Sequence, residues 1–266
     1  MPKMGQSVDR FLRREMLPTV WCPGCGNGSI AQALAMALDR LGTEPKDVAV
    51  VGGIGCSGRT PFYMATNALH TTHGRALAFA TGLKLAQPDL TVVVTSGDGD
   101  SLAIGGNHFI QAARRNLDIT LLLYNNAIYG MTGGQAAPTT PVGAHTTTSP
   151  ATGSVENAFD AVELAMAAGA TFVARTTTFD MQEMPVFIER ALRHHGFSLV
   201  EIITQCPTYY GRLNHIGEAP AMLLWERDMT DAQAGQHGGW NTGIFREESR
   251  PEYGDQLRRR QSGGGA

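Results

Sequence analysis

Short, unbroken apolar runs rich in β-branched residues recur along this chain, with helical patterns between them. The runs fall at 48–51 (VAVV), 90–95 (LTVVVT), 119–124 (ITLLLY), 170–174 and 198–203. A continuous run, unlike an alternating one, suits a strand buried on both faces, as in a parallel sheet. Helical stretches are expected over 27–40, 74–86, 102–115, 155–168 and 181–194. Strand and helix in alternation predict an α/β fold, a doubly wound and mostly parallel sheet with helices on both faces. Such sheets bind ligands beyond the carboxyl ends of their strands. The glycine-rich turns GGIG (52–55) and SGDGD (96–100) lie at two of those ends.

Composition narrows the field. Charged residues make up 17% and hydrophobic ones 42%, which excludes a largely disordered chain. The net charge of −3 leaves no basic footprint for nucleic acid. No apolar stretch reaches the ~18 residues that suggest a membrane span. The start, MPKMGQSVDRFLRREML, lacks the apolar core of a secretory signal. A cytoplasmic protein with reduced thiols is expected. Two regions break the rhythm. Residues 130–154, rich in Gly, Thr and Pro, form a long loop of the kind that is usually functional. From 211 periodicity fades, so 1–210 is expected to be the main domain. Residues 211–266 would be an extension packing on it or on a partner, with the end RRRQSGGGA disordered.

The four cysteines all lie beside Gly or Pro. Cys22 and Cys25 form a C-x-x-C turn (WCPGCG), Cys56 follows a glycine turn (GIGCS), and Cys206 follows the last apolar run (TQCP). Four thiolates together can hold zinc or an iron–sulfur cluster. A zinc ribbon would show two close pairs, so this wide spacing favours the cluster; a redox C-x-x-C with two unrelated thiols is the alternative.

At the second strand end, Ser96-Gly97-Asp98-Gly99-Asp100 opens a helix. Glycines let backbone N–H groups approach a phosphate, and a helix N-terminus favours negative charge. An aspartate there would repel phosphate unless a divalent cation lay between them. Asp98 or Asp100 is therefore a magnesium-ligand candidate. Asn125-Asn126 ends the next strand, which a parallel sheet would place alongside. GDG alone is weak, because turns use those residues routinely. GDG and NN at successive strand ends form a thiamine-diphosphate motif.

The chain resembles the β subunits of 2-oxoacid:ferredoxin oxidoreductases, most closely those acting on 2-oxoglutarate. The resemblance rests on WCPGCG, GIGCS, HGRALAFATG, GDGD, GGNH, NNAIYGMTGGQ and TQCP, in order over residues 21–206. It implies that Cys22, Cys25, Cys56 and Cys206 bind a 4Fe-4S cluster. It implies that Asp98, Asn126 and the backbone carbonyl of Ile128 bind Mg2+. Thiamine diphosphate would touch Ile54, Gly55, Cys56, Ser57, His73, Gly99, Asp100, Gly130 and Met131. Arg59 would grip the 2-oxoacid carboxylate by a bidentate, charge-assisted pair; on the residues alone, a surface arginine is equally open. His70 is read as structural. Gly133 stands where some broad-specificity relatives carry lysine.

The activity implied is oxidative, reversible decarboxylation of 2-oxoglutarate with coenzyme A to succinyl-CoA and CO2, electrons passing through the cluster to ferredoxin. No glutamate in the motifs could activate the cofactor. The resemblance implies an α subunit that supplies it with the pyrimidine-binding half, in an α2β2 assembly. Residues 130–154 and the tail are candidates for that interface. The alternatives are a pyruvate or broad 2-oxoacid enzyme, a non-redox thiamine-dependent decarboxylase or synthase, and a plain iron–sulfur electron-transfer module.

Overall fold

A computed structural model describes residues 8–230 and 239–263. The apolar runs form the strands β1 (Val48–Gly52), β3 (Thr91–Gly97), β4 (Thr120–Asn125), β7 (Phe172–Thr177) and β8 (Ser198–Ile203), with β2 (Asn67–His70) and β9 (Gly243–Glu247) at the edges. The seven-stranded sheet runs β2-β1-β3-β4-β8-β7-β9; β9 pairs antiparallel with β7 and every other pair is parallel.

Side chains alternate between the faces of the sheet, and each face has its own core. Val51, Val94, Leu121 and Leu123 pack under α3 (Ala76–Ala86), α4 (Gly106–Arg115) and α5 (Ala161–Ala168). Val50, Val93, Leu122 and Tyr124 pack under α1 (Asn27–Arg40) and α6 (Met184–Arg193). A short α2 (Thr60–Tyr63) follows the Cys56 turn. The doubly wound fold expected from the runs is the one found.

Several elements depart from the expectation. Strand β2 (NALH) is a mostly exposed edge strand, so it carries no buried apolar run. The helix expected from 155 starts at Ala161. Asp160 caps it by accepting from the Glu163 N–H at 3.0 Å, and the Phe159 N–H is held by the Pro138 carbonyl at 2.8 Å. The stretch from 102 is split into a π-helical turn over Gly99–Ile104 and then α4.

The 130–154 loop is not structureless. It holds β6 (Gln135–Ala136), paired with β5 (Ile128–Tyr129), and buries Thr139, Thr140 and Thr146. The tail supplies α7 (Ala219–Thr230), β9 and α8 (Tyr253–Gly263). The expected disorder of 258–266 is corrected as far as Gly263, because Arg258 pairs with Asp255 one turn back and Ser262 bonds the Arg258 carbonyl. Residues 264–266 lie outside the described residues.

Candidate active site

The sheet order explains why residues distant in sequence meet. β1, β3, β4 and β8 are successive neighbours. Their carboxyl ends deliver Cys56, Asp98, Asn126 and Cys206 side by side. Cys25 joins them because the Gly26 N–H reaches the Gln205 carbonyl at 3.5 Å. A cavity of about 410 Å³ opens over these ends. It is lined by every residue expected to touch thiamine diphosphate and by Asp98, Asn126 and Ile128.

The two aspartates differ in what their oxygens still have to offer. Asp100 accepts from the His73 ring and the Gly74 N–H at 2.7 Å, the Ile54 N–H at 3.3 Å and the Ser96 hydroxyl at 2.5 Å. Three of those donors crowd Oδ1, while Oδ2 takes Ser96 and is closely covered by Gly53. Asp100 is thus a tie between the β1 turn, the His73 segment and β3. Gly53 must be glycine there, since a Cβ would sit 1.8 Å from Asp100 Oδ2. Asp98 accepts from the Gly99 N–H at 2.8 Å and the Thr139 hydroxyl at 2.6 Å, and the Ala127 N–H also favours its charged form, which still leaves acceptor capacity toward the cavity. Burial pushes its carboxyl up to about 6, against the pull of those hydrogen bonds. A buried carboxylate with spare lone pairs fits a hard cation.

Asn126 is set by a local turn in which its Oδ1 accepts the Ile128 N–H at 3.2 Å. The turn needs Ala127 at φ +57°, and it is held from below. Asn125 Oδ1 accepts the Ala127 N–H at 3.1 Å, while Asn125 Nδ2 donates to Glu201 at 2.7 Å. Glu201, buried in β8, is in turn paired with Arg175 at 2.6 Å, and Arg175 with Asp160 at 2.6 Å. This buried chain was not read from the sequence, although a lone glutamate inside SLVEII was a signal for it. Thr139 was also missed. Nothing in spacing marks one threonine in a threonine-rich loop.

The thiols converge on the same wall. A Cβ at Gly130 would lie 3.6 Å from Cys56 Sγ and 3.7 Å from Cys206 Sγ, so both sulfurs face that glycine. Cys25 is pushed up to about 12 and Cys56 up to about 11. Burial is the main cause, and the other cysteines add to it in each case. Cys206 moves the same way, again chiefly by burial. Neutral thiols packed against one another fit a soft metal centre that would deprotonate them. None is in a disulfide.

Arg59 is not among the residues lining the cavity. Its guanidinium lies 5.6 Å from the Phe62 ring centre, close enough to Cys56 to oppose the rise of that thiol. His70 bonds the Gly58 carbonyl at 3.1 Å, away from the cavity lining.

This geometry defines a class: a thiamine-diphosphate enzyme domain, and residues 53–202 match the family of the thiamine pyrophosphate enzyme C-terminal TPP binding domain. The chain is 45% identical over 259 residues to 2-oxoglutarate synthase subunit KorB of Methanocaldococcus jannaschii, covering 93% of this chain and 94% of that one. It is 57% identical over 199 residues to the subunit of the same name in Archaeoglobus fulgidus, covering 75% and 74%. It is also similar to the solved structure of 2-oxoglutarate:ferredoxin oxidoreductase from Magnetococcus marinus with 2-oxoglutarate, coenzyme A and succinyl-CoA bound. There the TM-score is 0.87 at 34% identity, covering 98% of this chain and 91% of that one. The chain belongs to the β subunits of the 2-oxoacid:ferredoxin oxidoreductases.

Proposed function

We propose that this chain is the β subunit of a 2-oxoglutarate:ferredoxin oxidoreductase, which forms succinyl-CoA and CO2 from 2-oxoglutarate and coenzyme A. The observation that carries the reading is the position of Cys56. One short turn puts a thiol beside Cys206 and also lines the cavity that holds Asp98 and Asn126.

In this reading Asp98, Asn126 and the Ile128 carbonyl hold Mg2+, and Cys22, Cys25, Cys56 and Cys206 hold a 4Fe-4S cluster. Thiamine diphosphate supplies decarboxylation chemistry when bound, and an adjacent cluster provides a one-electron outlet. The chain's own residues do the positioning. Asp100 locks the Ile54 turn and His73, which fixes the cavity wall. Tyr129 donates to the Gly99 carbonyl at 3.0 Å and holds the diphosphate turn in shape. Arg59 is the candidate cation for the substrate carboxylate, approaching from the Cys56 side.

No glutamate lines the cavity among the described residues, and Ile54 and Met131 leave apolar surface exposed at its mouth. Both features support a partner α subunit that covers the cavity and brings the activating carboxylate, in an α2β2 enzyme. The domain reading keeps 1–210 as the cofactor-binding unit and 211–266 as an extension, which here packs on the same sheet. No helix among the described residues is long and apolar enough to cross a membrane. We place the enzyme in the cytoplasm because its thiols need a reducing compartment.

The test is anaerobic purification with the partner subunit, with iron, sulfide, magnesium and thiamine diphosphate assayed together. Dye reduction should require both 2-oxoglutarate and coenzyme A. Equal or faster turnover of pyruvate would move the reading to the broader enzyme. Thiamine diphosphate without iron would move it to a non-redox decarboxylase.

A further inference from the structure

Glu226 on α7 is fully buried and takes no part in the cavity. Its Oε2 lies 2.9 Å from the Thr178 hydroxyl and accepts the Phe179 N–H at 3.2 Å; its Oε1 has no partner. The Thr178 hydroxyl also lies 2.5 Å from Gln205 Oε1. Gln205 precedes Cys206, and its carbonyl takes the N–H of Gly26, the residue after Cys25. A continuous polar chain, Glu226–Thr178–Gln205, therefore runs from α7 to the two loops that carry Cys25 and Cys206.

Proton counting constrains that chain. A hydroxyl carries one proton, so Thr178 cannot donate to Glu226 and Gln205 together. Two arrangements satisfy both contacts. In one, a neutral Glu226 donates to Thr178, which donates to Gln205 Oε1. In the other, an ionised Glu226 accepts from Thr178, and the Gln205 amide turns to donate its NH2. The arrangement found, with Oε1 toward Thr178, is the neutral-acid one. The two differ by one proton on Glu226 and by which end of the amide faces Thr178.

The surroundings favour the proton. Burial pushes Glu226 up to about 8, and the Asp180 carboxylate on the loop after β7 adds to it, against the hydrogen bonds from Thr178 and Phe179. On α7 itself Arg227 is turned to Asp228 at 2.7 Å. From the loops at the far end come the Gln205 amide and the thiols of Cys25 and Cys206. No ion pair to Glu226 forms among the described residues.

We propose that Glu226 is the proton-coupled partner of the four-cysteine centre: its carboxyl holds a proton more tightly, and takes one up where it is ionised, when that centre gains an electron, with Thr178 and Gln205 as the link. The inference rests on the cluster reading above. The balance is simple. Where Glu226 is ionised, one electron from the 2-oxoacid undergoing oxidation reduces the centre by one, and one proton from water binds the Glu226 carboxylate. Both leave when the electron passes to ferredoxin. No bond of the substrate is involved. The reason is electrostatic, since added negative charge on the centre makes a nearby buried acid hold its proton more tightly. By reciprocity, the proton on Glu226 raises the reduction potential of the centre. Glu226 is thus a positioning residue for charge and not a catalytic one.

The experiment is a redox titration of the cluster, read by its visible and electron-spin signals in the anaerobic holoenzyme, over pH values spanning about 8. In the wild type the midpoint potential should fall as pH rises through this window and flatten on either side. Glu226→Gln keeps the shape and a donor for Thr178 but cannot titrate, and its potential should be flat. Thr178→Val leaves the acid in place but removes the hydroxyl that favours its ionised form, and it should move the window to higher pH while retaining the cluster. A flat wild-type potential, or an unchanged pH dependence in both variants, overturns the proposal. Wild-type enzyme without iron and sulfide would instead overturn the cluster reading, and this inference with it.

Discussion

At the carboxyl end of the sheet Asp98 is 3% exposed with acceptor capacity to spare, and buried thiols are pushed far above their usual range by burial and by one another. Around β9 and α8 the ion pairs are satisfied and wet. His195 sits between Asp118 at 3.5 Å and Asp255 at 2.8 Å, Arg258 reaches Asp255 at 2.6 Å, and Arg250 meets Glu248 at 3.1 Å. Exposed pairs of this kind contribute about 0–1 kcal/mol each. Buried groups that the protein alone leaves incomplete are expensive, and a chain keeps them where a cation completes them. The first region is thus a binding site and the second a clamp.

The comparison breaks or holds at the thiols first. Cys206→Ala should lose or degrade the cluster and abolish dye reduction, although Cys206 is the most distant of the four in sequence. Thiamine diphosphate and magnesium should stay bound, because the proposed oxygen ligands lie just beyond β3 and β4 and not in the Cys206 loop. A stable four-iron cluster with full activity in this variant would remove Cys206 from the ligand set.

Next come the two aspartates. Asp98→Asn keeps the shape and removes the charge, so magnesium and thiamine diphosphate should be lost together while iron content is retained. Asp100→Asn should act through the fold. It breaks the ties to Ser96, His73 and the β1 turn, and about 1–3 kcal/mol of stability is expected to go with each buried group left unpaired. Cofactor content and thermal unfolding on the same samples separate the two. Asp98→Asn retaining the cofactor while Asp100→Asn loses it at unchanged stability would reverse the assignment.

This pair also shows where sequence reading succeeds. Parallel strands buried on both faces announce themselves as apolar runs, and the proposed ligands sit at strand ends that the runs locate. So Cys56, Asp98, Asn126 and Cys206 could be brought together before any coordinates. What stayed hidden depends on tertiary contact alone. Thr139 reaches Asp98 from a loop whose composition says only that it turns often, and β2 and β9 are edge strands without a buried pattern. Helix α8 overrides a polar, glycine-ended sequence because Glu252 is buried beneath its start. The Glu252 carboxylate accepts the N–H groups of Asp118 and Asp255 at 3.2 and 2.7 Å.

A smaller effect is expected at Arg59, which borders the cluster turn without lining the cavity. Arg59→Ala should raise the Michaelis constant for 2-oxoglutarate and leave both cofactors in place. Loss of one hydrogen-bonded ion pair, about 1.5–3 kcal/mol, corresponds to roughly ten- to a hundredfold. An unchanged constant would assign Arg59 to packing on Phe62.

The smallest effect belongs to the clamp, and its sign follows from His195. The hydrogen bond to Asp255 raises the imidazole above its ordinary value of 6.5, with Asp118 adding to it, while Asp255 is lowered from 3.8 chiefly by the same hydrogen bond. A raised histidine contributes stability that is fully present below 6.5 and is lost as pH rises through its folded value. A lowered aspartate contributes stability that is present above 3.8 and is lost as pH falls through its folded value. The clamp is therefore tightest between those limits and loosens on the alkaline side. Because the pair is exposed, the gain is below about 1 kcal/mol. It should appear as local opening of α8 and not as global unfolding. Amide-exchange protection in α8, taken relative to the intrinsic rate at each pH, should be greater at pH 6 than at pH 9 in the wild type. In His195→Gln that protection should differ little between the two, with iron and thiamine diphosphate unchanged. If the variant also sheds a cofactor, α8 is coupled to the site, and the division between clamp and binding site fails.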